Sequence, residues 1–204
     1  MEDIHSDIEW FHLITRVVHL VGFAIGIGGA TASDALFFKS LKDKKISPDE
    51  LNLLKTLSKL MWVGFALLVV SGAGFLADAK TETGEIAVLS DPRFLAKLTV
   101  VGIIFLNGLI FYTLIIPLLS KKIGTILAKE TLGSKIYLLA ASGGISIVSW
   151  YSTFLLAILR GVKLPYLWWM SIYILLLIGA VAVGYLLLNR ELLSADKTKP
   201  DNKI

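Results

Sequence analysis

The chain has 204 residues, 55% of them hydrophobic and 18% charged, and a soluble domain of that length has too little interior to hide so much apolar side chain. It contains no cysteine, which removes disulfides, thiolate metal sites, iron–sulfur clusters and covalently attached c-type haem. The net charge of +4 is not gathered into a basic face with interleaved aromatics, so the expected partner is the lipid bilayer and not nucleic acid.

Apolar segments come in chain order at roughly 9–38, 51–78, 93–119, 135–160 and 166–189, each as long as the ~20 helical residues a hydrocarbon core requires. The expected fold is all-α, a polytopic bundle of five transmembrane helices over 1–194 with a polar cytoplasmic tail at 195–204. Ser6 and Glu9 in "SDIE" have the spacing of a capping box before segment 1, and Ser47 and Glu50 in "SPDE" repeat it with Pro48 at the first helical position. Leu51, Leu54, Leu57 and Met61 share one helix face, so segment 2 is expected to begin amphipathically. Asp91-Pro92 and Leu164-Pro165 open segments 3 and 5, and Pro117 is expected to close segment 3. Trp10, Phe11, Tyr166, Trp168 and Trp169 mark one interface, and Trp62 and Tyr137 the other.

Fourteen of the twenty lysines and arginines lie after segment 1, after segment 3 and in the tail. The positive-inside rule then puts the N-terminus outside and the C-terminus in the cytoplasm, as in a multi-pass protein of a prokaryotic plasma (inner) membrane. The acidic start "MEDIHSDIE" is unlike the basic start of a cleavable signal.

Segment 1 carries the chemistry-bearing residues. At 100° per residue His12, Arg16, His19, Phe23, Gly26, Ala30, Ser33 and Asp34 form one stripe. That stripe is expected to face protein, because Arg16 or Asp34 in lipid near mid-membrane would cost roughly 2.5–3.5 kcal/mol. Gly22 and Gly26 have the small-xxx-small spacing that admits a neighbouring helix; beside an inward histidine they would equally make room for a flat ligand such as a porphyrin. His12 and His19 either hydrogen-bond a neighbouring helix or ligate a metal. No histidine occurs after residue 19, so a bis-histidine haem within one chain is excluded. A five-coordinate haem b, a haem with Met61, Met170 or a tyrosine as sixth ligand, a site shared across a homodimer, or a copper or zinc ion held weakly by His12 with Glu9 or the acids of "EDIHSD" remains.

On segment 3, Arg93 and Lys97 are expected to join Arg16 in a basic cluster suited to an anion, and Asn107 to find an interhelical hydrogen bond. On segment 4, Ser142, Ser146, Ser149 and Thr153 recur at helical spacing beside Trp150. Asp34, the only acid well inside a span, is expected to pair with Lys59 or Lys55. No nucleophile elbow, P-loop, zincin or dinucleotide motif occurs, so any chemistry would belong to a bound cofactor.

"FHLITRVVHLVGFAIGIGGATASDALFF", "LSKLMWVGFALLVVSGAGFL" and "DPRFLAKLTVVGIIFLNGLIFY" together resemble the small bacterial membrane proteins around the copper-resistance D domain, the DUF2269-type proteins and the HemJ-type protoporphyrinogen oxidases. The resemblance covers the first three segments and implies a functional role for His12 or His19 and for Lys97. The haem-biosynthetic members tend to carry a histidine late in the helix that opens with lysine; here that stretch offers Asn107 and Tyr112.

These residues support two functional expectations. One is haem b or a metal in an outer-leaflet cavity between helices 1, 3 and 4, built from His12, Arg16, His19, Gly26, Lys97, Asn107 and Trp150. The other is a non-enzymatic permease or channel-like module for a small solute or metal ion, suggested by a glycine-rich helix 1 facing a hydroxyl-lined helix 4.

Overall fold

The computed structural model describes the backbone of residues 2–43, 45–83, 87–124 and 132–196, and the side chains of these apart from 2–8, 41–42, 78–83, 87 and 191–196. The described residues are helical almost throughout: α1 (Glu2–Lys42), α2 (Pro48–Thr83), a short 3-10 turn (Ala87–Ser90), α3 (Pro92–Ile110), a π-turn (Phe111–Ile115), α4 (Ile116–Ser120), α5 (Lys135–Ile158) and α6 (Tyr166–Asp196). Among the described residues, five stretches are long and apolar enough to cross a membrane: Glu9–Ser40, Pro48–Ala77, Pro92–Ser120, Lys135–Ile158 and Tyr166–Arg190. They coincide with the five apolar segments to within three residues at either end.

Helix starts reflect local chemistry. The Ser47 amide donates to Glu50 Oε2 at 3.0 Å and the Glu50 amide to Ser47 Oγ at 3.1 Å, a reciprocal capping box. Asp91 caps α3, its Oδ1 accepting the Arg93 amide at 2.9 Å. The Pro165 carbonyl accepts the amides of Trp168 and Trp169 at the start of α6. Two expectations fail. α1 is already helical from Glu2, so "SDIE" lies inside it. Nor does Pro117 close the third span, because the chain stays helical to Ser120. In a regular helix the proline ring would press on the carbonyl of Thr113. Here the Ile116 amide reaches back five residues to the Phe111 carbonyl, and this wider turn precedes the proline.

α1 packs chiefly on α2 and secondarily on α5; α3 and α6 both pack on α5. One apolar cluster sits at the end of the bundle carrying the α1–α2 connection and joins Ile46, Leu51, Leu54, Leu119, Ile136 and Leu188. Leu51 and Leu54 are each only 1% exposed, so the amphipathic start of α2 packs on protein. There the Gly124 amide donates to the Ile46 carbonyl at 3.2 Å. A second cluster joins Ala30, Ala96, Val100, Ile104, Trp150, Trp169 and Tyr173. Hydroxyl pairs tie helices together: Ser149 to Tyr173 at 2.8 Å, Thr99 to Tyr166 at 3.1 Å and Thr31 to Tyr151 at 3.2 Å.

The outward faces of the helices are apolar, as a lipid-facing bundle requires: Leu20, Val70, Leu175 and Leu186 are all more than 60% exposed. Trp10, Phe11 and Trp168 are exposed as interface residues should be, whereas Trp169 is buried and Trp62 lies within the bundle wall. The tail from residue 197 lies outside the described residues, and α6 runs two residues into the expected tail.

Candidate functional site

Glycine decides how closely helices meet around α1. A β-carbon on Gly22 would lie 2.9 Å from Leu67 Cβ, one on Gly29 would lie 2.8 Å from Met61 Cγ, and one on Gly26 would run into the indole of Trp150. Gly22 and Gly29 therefore admit α2, and Gly26 admits α5. The space these glycines open is occupied by the protein itself. The room expected beside Gly22 and Gly26 for a flat ligand is taken by Leu67 and Trp150.

His19 is half-buried against α2. Its Nδ1 lies 2.8 Å from Ser71 Oγ, while the Ser71 hydroxyl donates to the Leu67 carbonyl at 2.6 Å. With its single proton committed, Ser71 accepts, so His19 donates from Nδ1 and keeps the Nε2 lone pair. Phe75 meets the imidazole edge-on at 5.4 Å between centroids. Half-buried His12 lies seven residues earlier, about 10 Å along the axis, too far for one ion to bridge the two rings. The acids of "EDIHSD" expected beside it lie outside the described side chains. Among the described residues no group of three His, Cys, Asp or Glu converges.

Of the residues expected in the basic cluster, Arg93 and Lys97 lie within electrostatic reach of each other. Arg16 is exposed. Half-buried Lys97 is within electrostatic reach of His19, Arg93 and Arg160. Arg93 is committed locally: Nη1 donates to the Leu156 carbonyl at 3.0 Å, near the end of α5, and Nη2 meets Asp91 at 3.4 Å. It serves as a helix cap.

Asn107 and Trp150 instead line a cavity of about 70 Å³ between α1, α2, α3 with its π-turn, and α5. None of His12, Arg16, His19, Gly26 and Lys97 lines it. It lies towards the α1–α2 connection, in the other half of the bundle from His19, and α2 supplies a wall that the sequence does not announce. Small residues make it: Ser33 on α1, Ser58 on α2, Gly108 on α3, and Ser142, Gly143 and Ser146 on α5. Large rings close its sides. Trp62 lies over Gly108, where a β-carbon would stand 3.3 Å from the indole, and meets Phe105 perpendicularly at 5.6 Å. Phe65 lies 5.9 Å from both rings. This aromatic trio fills the seam between α2 and α3, which lacks close backbone packing.

Among the described residues, two oxygens in the cavity wall have no hydrogen-bond partner. Asn107, only 8% exposed, donates from Nδ2 to the Ser142 carbonyl at 3.1 Å and leaves Oδ1 unpaired. Asp34 leaves Oδ2 buried and unpaired. The expected pairing of Asp34 with Lys55 or Lys59 does not form: the carboxylate turns towards α5, where a β-carbon on Gly143 would stand 3.8 Å from Oδ1. The reason is room. Gly143 and the serines leave space inside the bundle, whereas Lys59 is exposed to the surroundings. Buried acceptors normally find donors; among the described residues Trp169 Nε1 and Asn189 Oδ1 are also buried and unpaired, but only Asp34 and Asn107 line this cavity.

Trp62, Ser58, Gly108 and Gly143, the most informative neighbours in the site, carry no signal of this role in the sequence; only the Asn-Gly pair at 107–108 in mid-span hints at it. No family model matches the chain, and comparison with curated proteins and with solved structures returns no match.

Proposed function

We propose that the chain is an integral membrane protein acting as a non-enzymatic permease-like module, which takes a small polar solute into the cavity between α1, α2, α3 and α5. The observation that carries this reading is a carboxylate and a carboxamide, Asp34 and Asn107, each with an unpaired buried oxygen, in the wall of a space lined by serines and aromatic rings. An ionisable group inside a span is expensive and belongs by default to a solute or ion path. With the positive-inside orientation the cavity lies in the cytoplasmic half of a prokaryotic plasma membrane.

Reconstitution tests the reading. Proteoliposomes containing the full chain are expected to pass a small solute faster than empty vesicles, and Asp34→Asn to abolish the difference. Equal flux in full and empty vesicles for cations, amines and neutral solutes of this size would overturn it. His19 enters as an interhelical hydrogen bond to Ser71 in the opposite half, and haem b has no place in the reading because the adjacent glycine spaces are filled.

A further inference from the structure

The chemistry of the cavity wall selects among solutes. Both orphan atoms are acceptors, one on a carboxylate and one on a carboxamide, and among the described residues no Lys, Arg or His lines the space. A ligand that satisfies both must donate at least two hydrogen bonds, and one that balances Asp34 must be a cation. The remaining wall combines serines, glycines and aliphatic side chains with aromatic rings, among them Trp62, Phe65, Phe111 and Trp150. Aromatic faces stabilise cations and also accept an alkyl stem, which a hard metal ion lacks. A bare divalent ion would need several carboxylate or imidazole ligands, and no such group of three converges among the described residues.

We infer that the solute of this cavity is a small primary alkylammonium ion, its N–H groups donating to Asp34 Oδ2 and Asn107 Oδ1 and its alkyl stem resting on the rings of Trp62 and Trp150. The inference rests on reading the cavity as a solute site. A quaternary ammonium would keep the charge but bring no N–H donor, leaving both acceptors unsatisfied, and a neutral amide would leave the carboxylate uncompensated.

The test uses the full chain in lipid nanodiscs, with binding read calorimetrically and by the change in tryptophan fluorescence. Methylammonium chloride is expected to bind saturably, with tetramethylammonium and sodium at least about tenfold weaker, the loss expected for missing charge-assisted hydrogen bonds. Asp34→Asn is expected to weaken methylammonium at least about tenfold, again by loss of a charged acceptor. Trp62→Leu, which leaves the carboxylate in place, is expected to weaken it about two- to fivefold through the lost ring face. Sodium or tetramethylammonium binding as well as methylammonium would overturn the inference, as would methylammonium binding unchanged in Asp34→Asn. Acetamide binding where methylammonium does not would overturn the ammonium assignment and leave the solute site standing. Binding of no probe at all would remove both.

Discussion

A β-carbon on Gly22 would stand 2.8 Å from the Gly64 carbonyl oxygen, and a β-carbon on Gly64 would stand 2.8 Å from the Gly22 carbonyl oxygen. The two glycines form a reciprocal notch in which α1 and α2 touch backbone to backbone. Gly22→Ala and Gly64→Ala are each expected to destabilise the bundle by about 1–3 kcal/mol, since rigid backbone cannot yield as a side chain can. Gly28, where an added β-carbon would meet nothing within 4 Å, is the control: Gly28→Ala is expected to be neutral or to stabilise by up to about 1 kcal/mol from helix propensity. Unfolding in denaturing detergent, monitored by tryptophan fluorescence, separates the three. A loss at Gly28 as large as at Gly22 would contradict the notch.

Asp34 opposes stability and function to one another. Its unpaired oxygen carries a desolvation penalty that a leucine would not, and the adjoining space accommodates the added methyls. Asp34→Leu is therefore expected to raise unfolding stability by on the order of 1–3 kcal/mol while abolishing solute flux. Loss of both stability and flux would assign the carboxylate a structural role instead.

His19 and Ser71 form a coupled pair across α1 and α2. A double-mutant cycle with His19→Ala and Ser71→Ala is expected to give a coupling of about 0.6 kcal/mol and no more than about 1.7 kcal/mol, the range for hydrogen bonds between membrane helices. Titration with haem is expected to produce no Soret shift that depends on His19. A shift lost in His19→Ala would restore the haem reading of that residue.

Legibility in the sequence depends on whether the signal is local. A span needs only length and apolarity, and a capping box such as Ser47 with Glu50 needs only four residues, so both are readable. The Ser6 and Glu9 pair has the same spacing without the same outcome, because a spacing does not say where the helix begins. Glycines announce that something approaches α1 but not what. Trp150 on Gly26 and Leu67 on Gly22 come from helices far away in the chain. The histidines draw attention because imidazole is rich in chemistry, yet the cavity is framed by Ser58, Gly108 and Gly143, which look ordinary until a fold brings them together. Asp34 is visible as the one acid well inside a span. Its surroundings are not, because lysines at the start of the next segment suggest a partner while the space across the bundle leaves no trace in the sequence.

The π-turn at Phe111–Ile115 has a consequence for how this chain tolerates changes in length. A turn of this kind holds one residue more than the α-helical turn it replaces, so it behaves as an insertion taken up without rotating the helix beyond it. Asn107 before it and Leu119 after it are both buried in spite of the surplus residue. Removing Leu114, which is 53% exposed and does not line the cavity, together with Pro117→Ala, would let the span close into one regular helix with both flanks facing as they do now. At this single place in the third span the protein holds a spare residue, and shortening by one there should preserve the fold where the same deletion elsewhere in the span would turn its buried face outward.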